Sequence, residues 1–233
     1  ASDVYKRQII ALTGDFLDEG KAGQELPALE ALVKELVKLA PVYFVSGNHD
    51  WASGAAPELF ETLGAAGVNC LRNDFVYLER GGDVLVLGGV DDPNGPADME
   101  TPDEFISRLR SEAPGAFTLL LAHRAYWAER FADLDVDLIL CGHTHGGIVR
   151  LPFLGGVAGT NFALFPEYDA GLFETGAYKL YISRGLGNSV PLPASSTRPS
   201  SYPSLSSARE RPYRGALFLP VDSKLYYGYN TVK

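Results

Sequence analysis

The residues with the clearest potential for chemistry are four histidines that stand at similar points along the chain. They are His49, His123, His143 and His145, and the sequence has no other histidine. Each follows a short apolar run, and Asp15 and Asn48 stand at equivalent points. Imidazole, carboxylate and amide oxygen suit Mn, Fe, Zn and similar divalent ions. The pattern therefore predicts a divalent metal site, and the two cysteines are too few for a thiolate zinc site.

The apolar runs before these residues are typical of buried β-strands. They cover residues 9–13, 42–45, 117–121 and 136–141. Ligands of open α/β sheets bind beyond the carboxyl ends of the strands. The polar residues are therefore expected to lie together at one edge of a sheet, where the glycines before them allow close approach of the backbone.

Helices and a hairpin are predicted between these strands. Helical spacing of apolar residues is found at 29–37, and residues 57–63 and 101–110 also predict helices, the last with a cap at Thr101 or Asp103. Residues 75–78 and 84–87 predict a hairpin, and residues 178–182 a final strand. Buried strands that alternate with helices favour an α/β sandwich in one domain.

Composition excludes some classes of protein. The chain has 233 residues, 46% of them hydrophobic, and a net charge of -9. That charge argues against a surface that coats nucleic acid, because phosphate backbones are held by clustered Lys and Arg. The net negative charge does not exclude an anionic substrate, since bound cations would reverse the electrostatic field at the site. Cys70 and Cys141 are predicted to be buried thiols, and no apolar run is long enough to span a membrane.

The two ends of the chain differ from its body. Residues 3–8 resemble the translation of a transposase adapter used in sequencing libraries, so residues 1–8 are interpreted as an artefact or, alternatively, as a polar leader. Residues 9–193 are predicted to be the domain. Residues 194–233 begin with a Ser/Pro-rich stretch and are predicted to be a tail with few core contacts. A shift of the reading frame within this stretch is an alternative explanation of its composition.

Four sequence blocks carry a resemblance to a known family. They are GDFLD at 14–18, GNHD at 47–50, LLLAH at 119–123 and GHTHGG at 142–147. In order and approximate spacing they resemble the calcineurin-like metallophosphoesterases. The bacterial branch typified by YaeI and YkuE is the most similar, because SRGLGNS follows at 183–189. The resemblance implies a four-layer α/β/β/α sandwich that hydrolyses a phosphate ester, a phosphodiester in preference to a monoester.

The resemblance also implies roles for the residues of these blocks. Two divalent ions, Mn, Fe or Zn, would activate water and neutralise phosphoryl charge. Asp15 would bridge the ions and His145 would bind the first. The second would be held by Asn48, His123 and His143. His49, held by Asp50, would act as general acid or stabilise the transition state at the leaving oxygen.

The chain departs from the family pattern at its start. The family opens with a strand that ends in Asp-x-His, and no such motif occurs here. The domain is therefore expected to lack its first strand, the first metal to keep only Asp15 and His145, and activity to be impaired. An export signal or membrane anchor would lie in the missing part, so membrane association through that part stays open and the compartment is not predicted.

Two arginines are candidate substrate contacts. Arg124 replaces an Asn that is common in this branch, and it would either bind substrate phosphate or begin a surface helix. Arg184 lies in the SRGLGNS block and would support the site or bind phosphate. Asp18 is either a partner of the site or part of a solvated turn, whereas Asp91 and Asp92 are predicted to form a turn.

Rival functions on the same scaffold are a nucleotide pyrophosphatase or a UDP-diacylglucosamine-type hydrolase of the lipid A pathway. A rival of another class is a non-catalytic scaffold protein. Degraded ligands would indicate that last outcome, yet every ligand after the first motif is intact.

Overall fold

The computed structural model describes residues 9–80, 82–147, 149–151, 155–159, 163–185 and 218–221. In chain order its elements are β1 (Ile9–Leu12), α1 (Ala22–Leu36), β2 (Val42–Phe44), α2 (Asn48–Ala52), α3 (Ala56–Ala65), β3 (Asn69–Cys70), β4 (Asp74–Arg80), β5 (Asp83–Gly89), α4 (Pro102–Glu112), β6 (Phe117–Leu121), α5 (Trp127–Arg130), β7 (Leu138–Cys141), β8 (Val149–Leu151), β9 (Gly155–Ala158), β10 (Gly171–Glu174), β11 (Lys179–Ile182) and β12 (Phe218–Val221).

The strands form two sheets and a separate hairpin. The first sheet has the order β12-β1-β2-β3, and all its strands are parallel. The second has the order β10-β11-β7-β6-β5-β4, in which β5, β6, β7 and β11 are parallel and the two outer strands antiparallel. Strands β8 and β9 form a separate hairpin, and Ala158 of β9 also bridges to Leu164. The parallel strands deliver their carboxyl ends to a common edge.

Alternating side chains of the strands fill three apolar layers. In β1, Ile9 and Ala11 pack between the two sheets, whereas Ile10 and Leu12 pack on the other face with α1 and α3. Leu120 of β6 faces outward and packs with Phe105 of α4. Because successive side chains of a strand point to opposite faces, a wholly apolar strand is buried on both sides. The order of layers is helices, sheet, sheet and helix, which confirms the four-layer sandwich.

Local signals account for the helix boundaries that matter here. Thr101 caps α4: its Oγ1 accepts from the N–H of Glu104, and its own N–H donates to Glu104 Oε2 at 2.8 Å. This reciprocal pair satisfies two amide donors at the start of the helix. Thr101, not Asp103, is therefore the cap.

The predicted tail contains a strand. β12 pairs parallel with β1, with Phe218 opposite Ile9 and Val221 opposite Leu12, so part of the stretch predicted to carry few core contacts joins a sheet. The signal was the apolar run 217–221, and Pro220 is tolerated because β12 lies at a sheet edge. Residues 1–8, and the remaining residues after 185, lie outside the described part. Among the described residues, none of the helices has the length and apolar character that crossing a bilayer requires.

Candidate metal centre

Four of the five predicted ligands meet around the ring nitrogen Nε2 of His123. Asp15 Oδ2 lies 3.2 Å from this atom, Asn48 Oδ1 3.1 Å and His143 Nδ1 3.1 Å. The ligand atoms of Asp15, His123 and His143 all lie within 4.8 Å of one another. These residues follow β1, β2, β6 and β7, so the common carboxyl edge of the sheets brings them together.

A main-chain contact determines the tautomer of His123. Its Nδ1 lies 2.6 Å from the carbonyl oxygen of Thr13. A carbonyl can only accept, so Nδ1 carries a proton, and in the neutral ring the lone pair is on Nε2. That lone pair faces the oxygens of Asp15 and Asn48. One proton on Nε2 could serve only one of these acceptors, whereas a cation attracts all of them, which is the arrangement of a metal-binding histidine.

The charges of the cluster suit metal binding at neutral pH. Burial alone would raise the pKa of Asp15, but the charge and hydrogen bond of His123 and the amide of His49 outweigh it and hold that pKa well below its usual range. Burial, followed by the neighbouring His123, lowers the pKa of His143 to about 3. A carboxylate and a neutral imidazole are the ligand forms of these residues.

Backbone strain is concentrated at the same residues. Asp15, His143 and His145 have φ of 61°, 69° and 55°. Such left-handed conformations cost about 1–3 kcal/mol each for residues other than glycine, and they persist where the surroundings fix them. The left-handed backbone therefore coincides with two residues of the cluster and with His145, and sequence reasoning had no access to it.

Two glycines allow the loops after β1 and β2 to touch. A Cβ on Gly14 would overlap the backbone nitrogen of Gly47, and a Cβ on Gly47 would overlap the carboxylate and backbone nitrogen of Asp15. Only glycine fits at either position without displacing the other loop.

Asp50 joins these two loops. Its Oδ1 accepts from the N–H groups of Phe16 (2.7 Å) and Leu17 (2.9 Å), and its Oδ2 from those of Asp15 (2.9 Å) and Gly47 (2.8 Å). Both oxygens therefore use their full accepting capacity on the backbone. The side chain is fully buried, and burial together with the Asp15 carboxylate raises the pKa of Asp50 to about 7.

The carboxylate that faces the His49 ring is Asp18. His49 Nδ1 lies 3.7 Å from Asp18 Oδ1, an ion-pair distance, and the His49 side chain is 39% exposed. The prediction that Asp50 holds His49 is therefore wrong, because the Asp50 oxygens are occupied by the backbone. The spacing in GDFLD carried the signal for Asp18, which stands on the same loop as Asp15. The His49 N–H donates to Asp15 Oδ1 at 2.9 Å, so His49 also fixes the ligand.

The fifth predicted ligand, His145, is not part of the described cluster. It lies on the same loop as His143, and Thr144 between them donates from Oγ1 to the carbonyl of Asp169 at 2.6 Å. Asp169 also accepts from the N–H of Gly156 at 2.8 Å. No sequence signal pointed to Asp169, because it lies 25 residues beyond Thr144.

The two candidate substrate arginines have different surroundings. Arg124 binds the buried Asp92 with Nε at 2.7 Å and Nη2 at 2.8 Å, and Nη2 also donates to Asn94 Oδ1 at 2.9 Å. The predicted turn at Asp92 is confirmed, since its carbonyl accepts from the N–H of Gly95 and its Oδ1 from the N–H of Asn94, both at 2.9 Å. The Asp92 carboxylate in addition forms an ion pair with Arg124. Arg184 is half-buried and follows β11, in which Ile182 stands opposite Cys141 of β7. Arg184 thus lies at the same sheet edge as His143.

The fold and the ligand cluster agree with comparisons of the chain. The chain belongs to the calcineurin-like phosphoesterase family, whose model matches residues 2–147. It is 30% identical to the uncharacterised metallophosphoesterase YkuE of Bacillus subtilis, over 78% of this chain and 62% of that protein. It is 30% identical to phosphodiesterase YaeI of Escherichia coli, over 78% and 64%. An uncharacterised metallophosphoesterase of Aquifex aeolicus is 32% identical, over 81% and 69%.

The resemblance to the YaeI and YkuE type is thereby confirmed. The chain spans less than two thirds of the length of YkuE and of YaeI. Members of this family use divalent metal ions, and the described cluster is a candidate site for one.

Proposed function

We propose that this protein hydrolyses phosphate esters, phosphodiesters in preference to monoesters, and that it uses two divalent metal ions. The observation that carries the proposal is the convergence of Asp15, Asn48 and His143 on His123 Nε2 at 3.1–3.2 Å. The name of YaeI, a phosphodiesterase, supports the preference for diesters.

The donor set fits a divalent ion. One carboxylate, one amide oxygen and two imidazoles suit Mn, Fe or Zn better than Mg or Ca, which prefer oxygen ligands alone. Bound divalent ions would withdraw charge from the phosphoryl oxygens and lower the pKa of a coordinated water. Asp15 would contact both ions, Asn48, His123 and His143 one of them, and His145 the other.

Residues around the ligands have separate tasks. Asp18 faces the His49 ring, and that ring is partly open to solvent, so it can donate a proton to the leaving oxygen of the ester. The buried carboxylate of Asp50 keeps the loops of Asp15 and Asn48 in register. The backbone N–H of His49 donates to the carboxylate of Asp15, and this bond positions the proton donor His49 relative to the metal ligand Asp15.

The proposal is tested by metal-dependent turnover of bis(p-nitrophenyl) phosphate beside p-nitrophenyl phosphate, with manganese, iron or zinc added to chelator-treated protein. Asp15→Asn and His123→Ala should each lower kcat/KM for the diester by at least about 100-fold, the upper loss found for residues that merely support a metal ligand. Asp83→Asn is the control, since Asp83 is exposed at the start of β5. The proposal would be contradicted if His123→Ala turned over the diester as fast as the parent protein, or if turnover persisted in the presence of the chelator.

A further inference from the structure

A pocket of about 210 Å³ lies directly beside the ligand cluster. His123 and Arg124, which follow β6, line one side, and the segment 90–102, which follows β5, lines the other. The two strands are parallel neighbours, with Gly89 opposite Leu121, so both segments leave from the carboxyl edge of the sheet. Because His123 belongs to both the cluster and the pocket wall, a group attached to a phosphate at the cluster can reach the pocket.

The charges that line the pocket are paired. Asp92 binds Arg124, Asp91 lies 3.2 Å from Arg72 Nε, and Glu100 lies 2.8 Å from Arg108 Nη2. Each lining carboxylate therefore has a guanidinium partner. The charge of the Arg124 guanidinium is already balanced by Asp92. An anionic group of a ligand would therefore lie near the carboxylates of the wall without a free cation to pair with.

Apart from Asn73, Thr101 and His123, the rest of the wall is apolar or aromatic. It includes Pro96, Ala97, Met99, Tyr126 and Trp127. The pocket is smaller than the roughly 300–1,000 Å³ of sites for drug-sized ligands. A single ring or a short chain fits such a space as a whole, whereas a nucleoside or a sugar with acyl chains would extend beyond it.

We propose that this pocket receives one organic group of the phosphate ester, and that it selects a small uncharged group with an apolar face. The inference rests on the proposed function, because it assigns the pocket to the same substrate. It favours simple esters over the nucleotide and glycolipid alternatives. Ala97 is exposed at the rim of the pocket, so a larger side chain at this position would narrow it.

Binding of small probes tests the pocket without metal or turnover. The chain has only two tryptophans, and Trp127 lines the pocket whereas Trp51 does not. Their indole N–H signals are resolved in a ¹H–¹⁵N spectrum and assigned with Trp51→Phe. Benzyl alcohol should shift the Trp127 signal, and benzoate and benzylammonium should bind at least about ten-fold more weakly, since burying an unpaired charge is costly.

Two size variants complete the test. Ala97→Phe should weaken the binding of benzyl alcohol by about ten-fold or more, the loss expected when apolar contacts in a pocket are removed. Ala65→Phe, at the exposed end of α3, is the matched control and should bind as the parent does. An unshifted Trp127 signal, equal binding by Ala97→Phe, or a charged probe that binds as well as the alcohol would overturn the proposal.

Kinetics separate this inference from the function on which it rests. The substrates are two p-nitrophenyl diesters whose second group is methyl or phenyl, assayed with manganese. Ala97→Phe should raise KM for the phenyl diester alone. If the parent protein hydrolyses neither diester, the proposed function fails while the probe titration still decides the pocket. If both are hydrolysed and Ala97→Phe raises neither KM, the pocket assignment fails and the function stands.

Discussion

Replacing Asp50 by Asn removes one of the two accepting oxygens at the junction of the ligand loops. Whichever way the amide is turned, two of the four backbone donors lose their acceptor: either Phe16 and Leu17, or Asp15 and Gly47. A buried donor without a partner costs about 1–3 kcal/mol, so the pair costs about 2–6 kcal/mol. A typical domain has a free energy of unfolding of about 5–15 kcal/mol, so much of the stability would be lost.

The measurement is urea unfolding of parent, Asp50→Asn and the exposed control Asp83→Asn. It is made at about pH 8.5, where Asp50 is ionised because the assay lies above its pKa of about 7. Because that pKa is raised, the buried charge itself costs stability, so its removal in Asp50→Asn offsets part of the loss from the unpaired donors. The control should stay within about 0.5 kcal/mol of the parent. A stability of Asp50→Asn at or above that of the parent, at unchanged denaturant slope, would refute the argument that its oxygens are saturated by the backbone.

Three further predictions follow from the same loops. Gly47→Ala should destabilise the protein by more than about 1 kcal/mol and abolish metal binding, because the added Cβ overlaps Asp15. The control Gly23→Ala in α1, where nothing lies near the added Cβ, should stabilise the protein by about 0.5–1 kcal/mol. Thermal unfolding with and without manganese compares the two variants, and equal shifts of their Tm would contradict the contact between Gly47 and Asp15. Asp18→Asn should lower kcat by about ten-fold or more while metal affinity, measured by calorimetry, stays unchanged, and a loss of metal would instead make Asp18 a ligand. Metal titration should find one tight site and one much weaker, since Asp15 and His145 are the only residues assigned to the first ion; two sites of equal affinity would contradict that assignment.

The sequence predicted the strands that carry the ligands because their residues are mostly apolar and each run ends just before a polar ligand. Ile9 to Leu12 is buried on both faces, and such a run has few alternatives to a central strand. Elements with too few residues to show a repeating hydrophobic pattern were missed. β3 has two residues, and α2 is a helix of five residues that begins at the ligand Asn48 itself.

The partners of charged residues were less predictable than the ligands. Asp50 and His49 are adjacent in sequence, yet Asp50 binds amides 33–35 residues away as well as that of Gly47, and only the loop conformation determines this. Arg124 and Asp92 are separated by 32 residues, so neither residue type nor spacing could pair them. The four-layer order itself came from the family resemblance, since periodicity alone does not say which helix covers which sheet.

The acceptor that fixes the His123 tautomer has a consequence for the mutational tolerance of the site. It is the main-chain carbonyl of Thr13, which every amino acid possesses, so no exchange of the Thr13 side chain removes it. Scanning mutagenesis would therefore leave this interaction undetected, and natural variation at position 13 is neutral toward the orientation of the ring as long as β1 keeps its course. Only an alteration of the backbone, such as an ester linkage between residues 13 and 14, would weaken the acceptor and loosen the imidazole.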